Sequence, residues 1–144
     1  MMTFATVQQS AALPYRIQKG RLKVLLITSI GTGRWILPKG HIEPGLSAAE
    51  SAEAEALEEA GVVGNISRKV IGSYNSKKRP ERGGERCRVR VFAMEVTRLL
   101  DHYPEAALRK RRWVSIKKAI EMVQEARLKE LLVRFEKSSC RKAE

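Results

Sequence analysis

The chain has 144 residues, 43% of them hydrophobic, and 28 Lys and Arg against 16 Asp and Glu, a formal charge of +12. This length fits one domain spanning 1–144, with 1–9 and 138–144 read as loose ends, and the apolar content excludes a disordered basic tail. No apolar run reaches the ~18 residues of a membrane span, no secretory signal pattern opens the chain, and the lone Cys87 and Cys140 suit a reducing cytoplasm rather than a disulfide framework.

Residues 10–17 and 22–29 read as two strands joined by the hairpin-length link Gln18-Lys19-Gly20-Arg21. The second is apolar almost throughout and is expected to be central, covered on both faces. After Gly31-Thr32-Gly33, the short apolar piece 34–37 ends at Pro38, which cannot donate to a ladder. Ser47 to Ala60 is rich in Ala, Glu and Leu and predicts a helix. Ser47 is its N-cap, Glu50 completes a capping box, and Gly61 stands at the C-cap. Residues 66–74 predict a strand, 76–86 a basic loop, and 87–96 a second strand with period-two alternation. A loop over 100–110 precedes a short strand at 112–114, with Ser115 capping a helix over 116–126. A further amphipathic helix covers 128–137. Strands and helices interleave irregularly, so the fold class is mixed α/β (α+β) rather than doubly wound.

Chemistry concentrates between Gly40 and Val62, GHIEPGLSAAESAEAEALEEAGV. Glu55, Glu58 and Glu59 stand at i, i+3 and i+4, so their Cβ atoms are ~5–6 Å apart on one helix face. Like charges this close repel, and a hard divalent cation offsets the repulsion through carboxylate oxygens. The alternative is a solvated acidic face. It loses ground because the chain is otherwise strongly basic.

This segment resembles a Nudix box, G-x5-E-x7-R-E-U-x-E-E-x-G-U, where U is a bulky aliphatic residue. Gly40 fills the first glycine, Glu55 the Glu after the family's Arg, Glu58 and Glu59 the paired Glu positions, and Gly61 and Val62 the close. Ala56 fills the first U position with a small side chain. Two positions depart: Leu46 stands where the family has its first Glu, and Ala54 where it has Arg. The approach WILPKGHIEPG and the late Arg112-Trp113-Val114-Ser115 are similar to Nudix hydrolases acting on dinucleoside polyphosphates and diphosphoinositol polyphosphates. The resemblance implies an α/β/α sandwich with a mixed sheet, and hydrolysis of a pyrophosphate bond with Mg²⁺ or Mn²⁺. It implies Glu55, Glu58, Glu59 and the Gly40 carbonyl as metal ligands. It also implies a carboxylate base, for which Glu105 and Glu85 are the loop candidates. The missing acid and Arg point to weakened or fewer metal sites; loss of catalysis is the competing expectation.

The positive charge gathers in Lys77, Lys78, Arg79, Arg82, Arg86, Arg88 and Arg90, with a second run at 109–112. Arg matches phosphate oxygens bidentately, so Arg79, Arg86, Arg88 and Arg90, with Lys39, are the expected phosphate contacts. His41 and His102 lack metal-ligand spacing and read as non-catalytic, and Trp35 and Trp113 as core anchors. The expected partner is an anionic polyphosphate. A nucleotide- or RNA-binding module, or an RNA 5′ pyrophosphohydrolase, stands behind it, because no aromatic-rich nucleic-acid motif is present. No membrane partner is expected.

Overall fold

The computed structural model describes residues 6–78 and 85–142. Strands β1 (Val7–Gln18) and β2 (Arg21–Thr28) form the expected hairpin, turning at Lys19 and Gly20. Both of those residues have positive φ, 52° and 74°, as a tight hairpin of matching twist requires. The pair zips only from Gln18↔Arg21 to Tyr15↔Val24. Beyond that, the two strands part and the following segment fills the gap between them. β3 (Trp35–Ile36) pairs with the end of β2, and β4 (Lys39–His41) pairs antiparallel with the start of β1. Between them the Ala12 N–H donates to the Pro38 carbonyl at 3.1 Å.

Helix α1 (Ala48–Ala60) leads into the long hairpin β5 (Val62–Lys78) and β6 (Glu85–Leu99), and β6 runs parallel to β1 from Val7↔Cys87 to Tyr15↔Glu95. β7 (Arg111–Ser115) joins the free edge of β2. Helices α2 (Ile116–Met122) and α3 (Ala126–Lys142) follow. The result is one mixed sheet of seven strands.

Alternation along the strands builds a core on each face. Ala11, Leu13, Val24, Leu26, Val89 and Val91 pack with Leu128, Leu131 and Leu132 of α3. Ala12, Leu25, Ile27, Phe92 and Met94 pack with Ala49, Ala52, Ala56 and Ala60 of α1. The small residues of α1 allow that helix to lie close to the sheet. An α/β/α sandwich results, and β2 is covered on both faces as its apolar run predicts.

Several boundaries differ from those read in the sequence. β5 and β6 are longer than expected because residues at their ends, among them Asn65, Asn75, Arg86, Thr97 and Arg98, are exposed and carry no apolar alternation. Bulges near Val63/Gly64, Ile66/Val70 and Val70/Gly72 break the period further. The helix expected over 116–126 stops at Met122, where Val123 turns extended (φ −77°, ψ 154°) and buries its side chain. Lys129 Nζ then donates to the Ile120 carbonyl at 2.6 Å, serving a C-terminal acceptor of α2. Helix α3 reaches Lys142 and β1 starts at Val7, so regular structure enters both segments expected to be loose.

Candidate active site

Local sequence rules fix α1 in place. The Ser47 hydroxyl accepts the Glu50 N–H and the Glu50 carboxylate accepts the Ser47 N–H, a complete capping box. Gly61 ends the helix at φ 65°, a left-handed conformation that favours glycine. Ser51, buried in α1, accepts the Glu43 N–H at 3.0 Å and ties down the loop entering the helix.

The three box carboxylates have different surroundings. Glu59 is buried, 7% exposed. Its Oε1 accepts the Lys39 main-chain N–H at 3.1 Å, and its Oε2 lies 3.4 Å from Arg109 Nη2. Glu55 is half-buried and rests against Gly40, where a Cβ would collide with its carboxylate. The Glu55 and Glu59 carboxyls lie within hydrogen-bond reach of each other, an arrangement that favours a shared proton. Glu58 is exposed beside them. Among the described residues, no group of three or more Asp, Glu, His or Cys side chains is arranged to hold a metal ion. The carboxylates instead satisfy one another and their basic neighbours.

Burial, followed by the charges of Glu59 and Glu58, pushes the Glu55 carboxyl up to about 8. Burial also raises Glu59, while Arg109 and the Lys39 N–H oppose the rise. Two carboxyls held together behind one proton are a donor set that a hard cation suits, since the cation replaces that proton.

A pH dependence follows. Glu55 has a folded value of about 8 against an ordinary 4.5, so the native state holds the extra proton. Stability of the metal-free protein therefore falls as pH rises from about 4.5 towards about 8, then levels off. A divalent cation that displaces this proton would bind more tightly over the same window. Thermal melts and Mg²⁺ titrations at pH 5, 7 and 9 check both trends, and Glu55→Gln flattens them.

The loop after β6 brings a fourth carboxylate. The Leu100 N–H donates to Gly61 O at 2.8 Å and the Glu105 N–H to Glu58 O at 3.0 Å. Arg111 Nη1 donates to Ala60 O at 2.9 Å, and its guanidinium lies over the Tyr103 ring, 4.8 Å from the centroid. These bonds occupy carbonyls that the end of α1 leaves free. Glu105 is thereby held beside the box, and its charge raises both Glu55 and Glu59. The second basic run, 109–112, is thus partly internal: Arg109 faces carboxylates and Arg111 closes the helix end.

The expected phosphate contacts separate by strand face. Gly40 pairs with Ser10, Ser10 with Arg90 and Arg90 with Ser73, a row crossing the sheet on the α1 side. Arg88 lies on this face as well, exposed, because residues 88, 90, 92 and 94 alternate with Cys87, Val89 and Val91 of the opposite core. Arg90 is therefore two strands, roughly 10 Å, from Gly40. Within the described residues, Ser10 Oγ and Arg90 Nε are buried without a hydrogen-bond partner. A ligand oxygen is one means of satisfying such groups. Lys39 meets the box through its main-chain N–H, which Glu59 accepts. It is paired with Ala11, and its Nζ donates to Gln9 Oε1 at 3.1 Å and Ser76 Oγ at 3.3 Å on the other face. Arg86 is exposed on β6; Arg79 and the Glu85 side chain lie outside the described residues. Leu46 and Ala54 are both exposed, so neither departure disturbs packing.

Sequence reasoning missed Ser10 and the inward role of Arg109. The only signal for the first was its place in the strand facing Gly40, and for the second its position in the loop that supplies Glu105.

A family profile described as "NUDIX domain" matches residues 8–135. The chain is 31% identical over 132 residues to Nudix hydrolase 12, mitochondrial, of Arabidopsis thaliana, covering 78% of this chain and 64% of that protein. It is 30% identical over 119 residues to human diphosphoinositol polyphosphate phosphohydrolase 3-alpha, covering 81% of this chain and 69% of that one. The chain thus spans about two thirds of the length of these relatives. Among solved structures, a C. elegans Ap4A hydrolase superposes with a TM-score of 0.65 at 21% identity, over 92% of this chain and 97% of that one. Among the described residues, no helix is long and apolar enough to cross a membrane.

Proposed function

The chain belongs to the NUDIX domain family, and on that premise we propose that it hydrolyses a pyrophosphate bond in a polyphosphorylated small molecule of the dinucleoside polyphosphate or diphosphoinositol polyphosphate class. The observation that carries this reading is the joining of Glu55, Glu59 and Glu105 beside Gly40, with Arg90 and Ser10 on the adjoining row of the same sheet face. The names of relatives acting on such compounds support it.

Glu55, Glu58, Glu59 and the Gly40 carbonyl are the proposed ligands of Mg²⁺ or Mn²⁺, with Glu105 the proposed proton acceptor. The cation, when bound, neutralises charge on phosphoryl oxygens and acidifies the attacking water. The protein's part is positioning. The capping box and the Gly61 terminus hold α1 rigid, and the absent side chain at Gly40 gives Glu55 its space. Lys39 N–H fixes one oxygen of Glu59. Arg90, with Arg88 at the more open end, holds the phosphates that are not transferred. Arg86 extends that basic edge. A cytoplasmic setting suits buried Cys87, which is in no disulfide among the described residues.

A substrate panel tests the proposal. Diadenosine tetraphosphate, a diphosphoinositol polyphosphate and a 5′-triphosphorylated RNA are each incubated with Mg²⁺ or Mn²⁺ over a range of salt. Turnover of a small polyphosphate with a shallow salt dependence is expected. A steep log–log salt slope with RNA as the favoured substrate points to an RNA enzyme instead. No turnover of any of them by a folded sample leaves a binding module.

A further inference from the structure

Arg109 is the only residue in the described site whose side chain reaches two of the clustered carboxylates and a strand end at once. Nε donates to Glu105 Oε1 at 2.9 Å, Nη2 reaches Glu59 Oε2 at 3.4 Å, and Nη1 donates to the Thr28 carbonyl at 3.1 Å. All three guanidinium nitrogens are therefore engaged, and the side chain is only 11% exposed. Such a group is turned inward and cannot also serve as the bidentate phosphate fork that its neighbours in sequence suggest.

We propose that Arg109 is the positioning residue of this site, clamping Glu105 of the 100–110 loop against Glu59 of α1 and so setting the spacing between the two carboxylates. The inference rests on the reading of the carboxylate cluster as the reactive centre. Its physical basis is twofold. Glu59 and Glu105 carry like charges and both reach the same guanidinium, so without it they would repel one another. A planar fork between them replaces repulsion by two charge-assisted contacts at fixed angles. The third contact, to Thr28 at the end of β2, references both carboxylates to the sheet. The helix itself offers no such clamp, because position 54 is Ala. The loop's main-chain bond from Glu105 to Glu58 O and the Arg109 contact to the Glu105 side chain together hold the loop on α1, so loss of Arg109 loosens that bond as well.

A double-mutant cycle on Arg109→Met and Glu105→Gln tests this, joined to amide hydrogen exchange on the metal-free protein. Arg109→Met is expected to lower kcat by about 10–100-fold, the usual cost of losing a supporting partner, and to leave KM within about threefold. The double variant is expected to match Glu105→Gln within about threefold, because Arg109 acts through Glu105. Exchange at the Glu105 amide is expected to quicken by about tenfold or more in Arg109→Met, with the interior amides of α1 unchanged. If the Met variant does not fold, Arg109→Lys supplies the reading: one ammonium cannot serve three acceptors, so an intermediate loss is expected. The proposal is overturned if KM rises while kcat holds, which makes Arg109 a phosphate contact. It is equally overturned if the two substitutions multiply independently or if exchange at Glu105 is unchanged. Should the wild-type protein hydrolyse none of the substrates, the reading of the centre fails, while the exchange measurement still decides whether Arg109 holds the loop.

Discussion

Glu59→Gln is expected to lower turnover by roughly 10²–10⁴-fold, beyond the 10–100-fold typical of a supporting residue, because it removes a proposed ligand's charge rather than its orientation. Gln keeps the shape of Glu and an oxygen that can still accept the Lys39 N–H, so the β4–α1 contact survives. The cost falls on Arg109, which lies 3.4 Å from Glu59 in a setting with little water. Weakening one partner of that contact is expected to cost about 1–3 kcal/mol of stability. Glu58→Gln provides the contrast. Glu58 is exposed and its carboxylate has no hydrogen-bond or ion-pair partner among the described residues, so stability should hold while turnover falls by a similar order. Steady-state kinetics and chemical denaturation of both variants check the pair. Unchanged rates in both would remove α1 from the reaction.

Gly40→Ala is expected to reduce turnover by about 100-fold with little change in melting temperature. The added Cβ would fall on the Glu55 carboxylate. That carboxylate is the far end of a flexible side chain, so the overlap is relieved by rotation and needs no shift of backbone. The relief moves a proposed ligand, and a displacement of ~1 Å at a reactive centre can cost 10²-fold in rate. Activity retained would instead show that displacing the Glu55 carboxylate has no consequence for turnover. The two substitutions approach the same carboxylates from opposite sides, one through the helix and one through the strand beneath it.

Much of this arrangement was legible in the sequence, and the reasons differ by element. The helix at 48–60 was readable because its signals are local: a capping box at Ser47 and Glu50 and a left-handed glycine at 61. The first hairpin was readable for the same reason, from a short link holding Gly20. The face relation of Glu55, Glu58 and Glu59 followed from helical spacing, but their different burial did not. That depends on which strand lies beneath the helix, and Gly40 lies beneath Glu55 only because β4 inserts between the parted ends of β1 and β2.

The long β5–β6 hairpin extended past its apolar core, so exposed polar residues hid its ends. No glycine or proline marked the break after Met122; burial of Val123 sets it. Lys39 looked like a phosphate ligand by its place next to Gly40. Strand alternation instead sends its ammonium to Gln9 and Ser76. Arg109 looked like one member of a basic run, yet 50 residues of sequence separate it from Glu59, and only the docking of the 100–110 loop on the end of α1 unites them. The basic residues behind the net charge of +12 thus include arginines on the proposed phosphate row, Arg88 and Arg90, and arginines engaged inside the fold, Arg109 and Arg111.

The central claim is that the carboxylates of α1 take up a divalent cation which the protein then uses to cleave a pyrophosphate bond. The most direct test is a Mn²⁺ titration in which bound metal is followed by paramagnetic resonance and product by phosphorus resonance in the same sample. Binding and turnover are predicted to rise together, to vanish with chelator, and both to be lost in Glu55→Gln and Glu59→Gln. Turnover that persists in chelator, or metal uptake that both variants leave unchanged, would contradict the account.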